Sequence, residues 1–291
     1  MLTEKKELDI DMDTNLRVAF IGAGNMAEAM ISGIVKTGTL EPHQVIVTNR
    51  SNEERLLELH NRYGIQGMVR DRLPIQSADV IILAMKPKDA EQSLLSIKDQ
   101  IRPDQVVMSV LAGISTSFME EHLNANQQVI RVMPNTSSML QESATAISPG
   151  EHVTMKNVKM AKTLLKSIGE VYVIEEDQMD LFTGIAGSGP AYYYYLMEHI
   201  EKIARENGMD PAQAREIGAQ TILGAAKMML EREETPAQLR KNITSKNGTT
   251  ASGLEALAEN GGGKAIKAAV EGAMNRSKEI SKQLEKTPAH Q

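Results

Sequence analysis

The feature that most limits how this chain can fold lies near its start. The apolar run Leu16–Ile21 leads straight into Gly22-Ala23-Gly24-Asn25-Met26-Ala27, and Ala27–Val35 continues as an amphipathic stretch. A strand, a glycine turn and a helix in immediate succession make the opening of a βαβ unit, and the G-x-G-x-x-A spacing has a physical meaning at each glycine. Gly22 permits the tight turn, Gly24 lets a pyrophosphate come close to the backbone, and the small Ala27 lets the helix pack near the strand. The free N–H groups at the helix start then face the anion. The string by itself is also compatible with a glycine-rich connector that binds nothing. Its place between a first strand and an amphipathic helix favours dinucleotide binding.

From Leu16 to about Glu176, runs rich in Val and Ile alternate with helix-length amphipathic segments. The expected strands are Leu16–Ile21, Gln44–Thr48, Ile65–Val69, Asp79–Met85, Gln105–Val110, Val129–Met133, Ala144–Ser148 and Val171–Glu175. Several are apolar without alternation, as in a parallel sheet covered by helices on both faces. After Asp177 the strand pattern ends. Helices are expected at Pro190–Glu206, Pro211–Arg232, Pro236–Lys241, Thr250–Glu259 and Gly263–Leu284, with Pro190, Pro211 and Pro236 at starts, where a missing N–H costs nothing. The expected class is therefore α/β: a charged, frayed extension over 1–15, a Rossmann dinucleotide-binding domain over 16–176, and an all-α domain over 177–291. The stretch Ile217–Leu230 mixes Gly and Ala with Ile, Leu and Met, which fits either an Ala- and Met-rich monomer core or a close helical interface with a second chain.

Charge and composition narrow the function. A net charge of −6 without a basic stripe argues against nucleic acid as a partner. The chain has no Cys and 6 scattered His, so thiolate metal sites and disulfides are excluded and no metal is expected. No secretory leader is legible in Met1–Asn15 and no apolar run nears the ~20 residues of a membrane span, so a cytoplasmic protein is expected. At the second strand exit, where an NAD site usually offers a carboxylate, stand Asn49 and Arg50. A guanidinium grips a 2′-phosphate that a carboxylate would repel, so NADP(H) is favoured over NAD(H). A solvated loop charge is the plainer reading of Arg50. Ala84-Met85-Lys86-Pro87 and Met133-Pro134-Asn135-Thr136 also lie at strand exits, where open α/β sheets bind ligands.

Two segments of the second half carry polar chemistry. Gly187-Ser188-Gly189-Pro190-Ala191-Tyr192 opens a tyrosine-rich helix, and a domain hinge explains it without a ligand. Asn242-Ile243-Thr244-Ser245-Lys246-Asn247-Gly248-Thr249-Thr250 is a polar loop whose end, just before a helix, combines N–H groups and hydroxyls suited to a carboxylate. Capping alone also accounts for Thr249 and Thr250.

Together these residues resemble the pyrroline-5-carboxylate reductases, from about Arg17 to Leu284: IGAGNMA, LAMKP, VMPNT, GSGPAY, PAQLRKN and the TS…GTT loop occur in order and spacing. The resemblance implies a Rossmann domain followed by an all-α dimerisation domain that intertwines with a second subunit. It also implies an active site between the nicotinamide and the interhelical loop, and reduction of Δ1-pyrroline-5-carboxylate to L-proline, the last step of proline biosynthesis. Carried over by position, Gly22, Ala23, Gly24, Asn25, Met26 and Ala27 hold the pyrophosphate, and Asn49 and Arg50 read the adenosine phosphate. Ala84, Met85, Lys86 and Pro87 lie along the nicotinamide side, with Asn242 near both cofactor and substrate. Glu176, Ser245, Gly248, Thr249 and Thr250 surround the substrate: N–H groups of Gly248–Thr250 hold its carboxylate, and the Thr250 hydroxyl, as the catalytic group, faces the ring nitrogen.

One departure stands out. The family usually has Ser-Pro-Gly-Gly where this chain has Ser245-Lys246-Asn247-Gly248. Loss of Pro should loosen the loop, whereas Asn tolerates a left-handed backbone and can replace the first Gly. Three other readings stay open here: reduction of a different cyclic imine or a hydroxy acid, an NADPH-binding regulatory paralogue, and a purely structural helical dimer.

Overall fold

The computed structural model describes residues 15–286; the expected extension lies outside these except for Asn15. Eight strands form one sheet: β1 (Val18–Ile21), β2 (Val45–Asn49), β3 (Gln66–Val69), β4 (Val80–Leu83), β5 (Val106–Ser109), β6 (Gln128–Met133), β7 (Ser143–Pro149) and β8 (Gly169–Val173). Their order is β3-β2-β1-β4-β5-β6-β7-β8. The interleaved helices are α1 (Asn25–Lys36), α2 (Glu53–Tyr63), α3 (Ala90–Lys98), α4 (Thr116–His122) and α5 (Met155–Leu165).

The unalternating apolar strands have the cause expected of them. Val18 and Phe20 of β1 join a buried cluster with Met30 and Ile34 of α1, Leu59 of α2 and Leu164 of α5. Ala19 and Ile21, pointing the other way, join a second cluster with Leu94 of α3 and Met119 of α4. Both faces are thus covered, and each large side chain so buried contributes about 1.5–3 kcal/mol.

The expected parallel pairing holds everywhere except between β6 and β7, which run antiparallel with Met133 opposite Ala146. The link between them spans only residues 134–142 and holds one short 3₁₀ turn, Thr136–Leu140. A parallel return needs a crossover of about a dozen residues or more. Asn135 organises this link: its side chain caps Ser137 N–H at 2.9 Å, and its own N–H donates to Ser143 Oγ at 3.1 Å. β4 ends at Leu83 rather than Met85, after which Ala84 lies against Gly22 of the glycine loop.

Beyond β8 come a short helix α6 (Met179–Phe182), a π-turn at Thr183–Gly187, and helices α7 (Gly189–Glu206), α8 (Pro211–Glu231), α9 (Pro236–Asn242), α10 (Thr249–Glu259) and α11 (Gly262–Lys286). By packing, the described residues fall into two compact units. Described residues up to Gly187 and from Ala273 onward form one unit, and Ser188–Gly272 the other. The reason lies in packing: Ser277 of α11 donates to Asp180 Oδ1 at 2.6 Å, and Leu284 packs on the second sheet cluster.

Within Ser188–Gly272, α7 and α8 pair through an Arg215–Glu201 bridge at 2.7 Å, and Gly218 faces the end of Met197. Over α7 to α10 only Gly189 and Ala214 are buried. Tyr194, Ile203, Leu223 and Leu230 are exposed, the last by 80 %. Within this chain the Ala- and Met-rich stretch is therefore largely exposed and does not form a buried core. Among the described residues no helix is long and apolar enough to cross a membrane.

Candidate active site

The exits of β1, β2, β3 and β4 open on one cleft of about 580 Å³. Gly22, Ala23, Gly24, Asn25, Met26, Asn49, Arg50, Ala84, Met85 and Lys86 line it. Ala27 is instead fully buried against the sheet, its small side chain serving the packing of α1. Pro87 begins the short turn Pro87–Asp89 and does not face the cleft. Ile21, Thr48, Arg70, Lys88, Asp89 and Ser93 complete the lining.

The two loop glycines have different jobs. Gly22 sits at φ +116°, its N–H donates to Thr48 O at 3.0 Å, and a Cβ there would lie 2.4 Å from Ala84 O. Gly24 has no such constraint: its nearest neighbour for a Cβ is Ala84 O at 3.9 Å. The room around it is left to a ligand. Gly24 is also the N-cap of α1, without a side chain to cap it. The first intrahelical bond runs from Glu28 N–H to Gly24 O at 3.0 Å. The N–H groups of Asn25, Met26 and Ala27 therefore have no partner within the helix and are available to an anion.

A support for this loop was not legible in its own motif. From α2, Arg55 Nε donates to Ala23 O at 3.0 Å, while the same guanidinium pairs with Glu28 and, at 2.7 Å, with Glu58. Glu28 also accepts from Tyr63 at 3.0 Å and pairs with Arg62. Burial alone would raise the Glu28 carboxyl, but hydrogen bonds from Arg55 and Tyr63 and the charges of Arg55 and Arg62 outweigh it and hold it below the usual carboxylate range. Asn52 caps α2 by accepting from Arg55 N–H at 2.9 Å.

The polar loop belongs to the Ser188–Gly272 unit. Asn242 closes α9, its Oδ1 accepting from Gln238 at 2.8 Å. Asn247 takes φ +59°, the left-handed geometry expected of a glycine replacement. Gly248 is the N-cap of α10 and, as at α1, no side chain caps the helix. Its own N–H is spent on Ser245 O at 3.1 Å. The carboxylate donors expected over Gly248–Thr250 thus reduce to Thr249 and Thr250, joined by Ala251, since the first helical bond comes from Ser252 to Gly248 O at 3.2 Å. Thr250 is half-buried, while Ser245 and Lys246 are exposed.

Glu176 lies in the other unit, in the turn Glu176–Gln178, where its Oε1 accepts from the buried Arg131 at 2.8 Å. Glu176 Oε2 and Arg131 Nη2 are buried without a hydrogen-bond partner.

Two family models match the chain: one described as a coenzyme F420-dependent NADP oxidoreductase over residues 17–113, the other as pyrroline-5-carboxylate reductase dimerisation over residues 176–280. Pyrroline-5-carboxylate reductase 1 of Bacillus subtilis is 59% identical over 273 residues, covering 94% of this chain and 92% of that one. A pyrroline-5-carboxylate reductase structure from Coxiella burnetii superposes with a TM-score of 0.84 at 32% identity, covering 92% of this chain and 99% of the other. That of Plasmodium falciparum, solved with NADP bound, superposes with a TM-score of 0.82 at 26% identity and the same coverage. Matched across both units and along nearly the whole of a Bacillus relative, the chain belongs to the pyrroline-5-carboxylate reductase family.

Proposed function

We propose that this chain reduces Δ1-pyrroline-5-carboxylate to L-proline at the expense of NADPH, with NADH as the poorer donor, and works as a homo-oligomer assembled through its helical unit. The observation that carries the reading is the pair of glycine-begun helices, α1 and α10, in a chain of this family: each presents three N–H groups without helical partners, one set in a cationic cleft and one after a polar loop. When bound, NADPH supplies the hydride that adds to the imine carbon. The balance is imine plus NADPH plus one proton to amine plus NADP⁺.

The protein's share is binding and orientation. The N–H groups of Asn25, Met26 and Ala27 take the pyrophosphate, and Asn49 and Arg50 take the adenosine phosphate. Ala84, Met85 and Lys86 flank the nicotinamide side. At α10 the N–H groups of Thr249 and Thr250 hold the substrate carboxylate, aided by the roughly half positive charge of a helix start. The Thr250 hydroxyl accepts from the protonated ring nitrogen and so favours the iminium, the form to which hydride adds most easily. Asn242 borders the same ring.

The altered Ser245-Lys246-Asn247-Gly248 loop does not favour a regulatory reading, because Asn247 holds the backbone geometry that a glycine would. Purified protein should oxidise NADPH only when Δ1-pyrroline-5-carboxylate is added, and faster than NADH. Tight NADPH binding with no substrate-dependent oxidation would overturn the proposal in favour of another imine or a regulatory role.

A further inference from the structure

The exits of β1, β2 and β3 follow one another along the sheet, and each brings a different donor to the cleft: the glycine loop, Arg50 and Arg70. A dinucleotide lies along this line, with pyrophosphate at the first exit and adenosine ribose toward the second. What meets the third exit lies beyond the ribose. Arg70, immediately after β3, had no place in the sequence reading.

Its side chain is anchored with unusual completeness for a loop arginine. Nη1 donates to Ser93 Oγ at 3.0 Å, and Nη2 donates to Ser93 O at 3.3 Å and to Ser96 Oγ at 2.6 Å. Ser93 is itself buried, at 2 % exposure. Arg50 docks on the same helix one residue earlier, Nη2 donating to Gln92 Oε1 at 3.1 Å. Every one of these acceptors is uncharged. Burial, and next the like charge of Arg50, push the Arg70 guanidinium below its ordinary range, and Asp71 only partly opposes this. A guanidinium in a protein does not respond by losing its proton. The fold has therefore docked two cations on neighbouring residues of α3, with Asp71 only partly offsetting their repulsion and Asp89 the one carboxylate in the cleft lining.

We propose that Arg70 is a specificity-determining residue of the cofactor site, the second half of a two-guanidinium clamp that grips the 2′-phosphate of NADP(H) together with Arg50. The assignment rests on the reading of the cleft as the NADP(H) site. A phosphate monoester carries close to two negative charges at neutral pH, enough to satisfy both cations. Three of the five N–H donors of Arg70 are used on α3, so one on Nε and one on Nη1 remain for phosphate oxygens. Because the serines already fix the side chain, little rotamer freedom is lost when the anion arrives.

The test uses the full-length protein and equilibrium titration with NADPH, NADH and the fragments 2′,5′-ADP and 5′-AMP, on wild type, Arg50→Ala, Arg70→Ala and Arg70→Gln. Arg70→Gln retains a donor for Ser93 and Ser96 without the charge and guards against unfolding of the alanine variant. Loss of a charge-assisted contact should weaken NADPH and 2′,5′-ADP about tenfold or more, while NADH and 5′-AMP change by less than about twofold. Equal weakening of NADPH and NADH would overturn the proposal, since Arg70 would then touch the adenosine common to both. Loss of discrimination in Arg50→Ala but not in either Arg70 variant would also overturn it, leaving the reading of the cleft intact. If wild type itself held 2′,5′-ADP no better than 5′-AMP, the phosphate reading of the whole cleft would fall, and this proposal with it.

Discussion

Gly22 and Gly24 stand two residues apart in one loop, and exchanging each for alanine should break different things. At Gly22 the new Cβ would lie 2.4 Å from Ala84 O and 2.8 Å from Met85 N, both backbone atoms, at φ +116°. Backbone strain of about 1–3 kcal/mol and overpacking of about 1–3 kcal/mol together come to about 2–6 kcal/mol. At about 2–4 °C per kcal/mol for a unit of this size, Gly22→Ala should melt roughly 5–20 °C below wild type. At Gly24 the Cβ meets nothing nearer than 3.9 Å and φ is −77°, so only the slightly weaker capping of alanine is felt, below about 1 kcal/mol. The added methyl would instead occupy the space left for pyrophosphate. Loss of one charge-assisted backbone contact, about 1.5–3 kcal/mol, weakens NADPH about 10- to 100-fold. Melting without nucleotide, followed by NADPH titration, separates the effects. Gly24→Ala should melt like wild type and fail to gain the usual protection from added NADPH. Normal NADPH affinity in Gly24→Ala would show that the loop does not hold the pyrophosphate. Wild-type melting of Gly22→Ala would show that the close approach to Ala84 carries no strain.

Two further variants probe the substrate loop and the support behind the cofactor loop. Thr250→Ala should lower kcat/KM for Δ1-pyrroline-5-carboxylate about tenfold or more, since 1.4 kcal/mol is a factor of 10, while NADPH affinity holds; unchanged kinetics would remove the hydroxyl from the mechanism. Glu28 has a depressed folded pKa, so its stabilisation is complete above the unfolded carboxylate range and is lost as pH falls through the folded value. Glu28→Gln should therefore melt below wild type at pH 7, the gap closing as the pH is lowered from about 4.5; a gap independent of pH would mean that the Glu28 charge is not what binds α1 to α2.

Much of this was legible in the residues because the local rules and the tertiary demands agree. Leu16–Ile21 and Asp79–Met85 read as buried strands since their apolar runs lack alternation, and the two sheet clusters show why. The glycine loop falls between strand and helix as its spacing requires, and Asn247 at φ +59° could be anticipated from the tolerance of Asn for that region. What escaped depends on partners remote in sequence. The turn back of β7 follows from a short link, which propensity does not register. Arg55 reaches Ala23 across 32 residues, and Arg70 reaches Ser93 across 23, so neither position announces its role locally. The loss of the Gly248 N–H to Ser245 is likewise a matter of loop closure, not of residue type.

Direct delivery of hydride from C4 of the nicotinamide to the imine carbon is tested by isotope transfer. NADPH carrying deuterium at C4, prepared separately on each face, should be incubated with the protein and Δ1-pyrroline-5-carboxylate, and the product analysed by mass spectrometry and NMR. L-proline with a single deuterium at C5 should form from one of the two labelled cofactors, one for one with NADP⁺. Proline free of label from both cofactors, or NADP⁺ formed without proline, would contradict it.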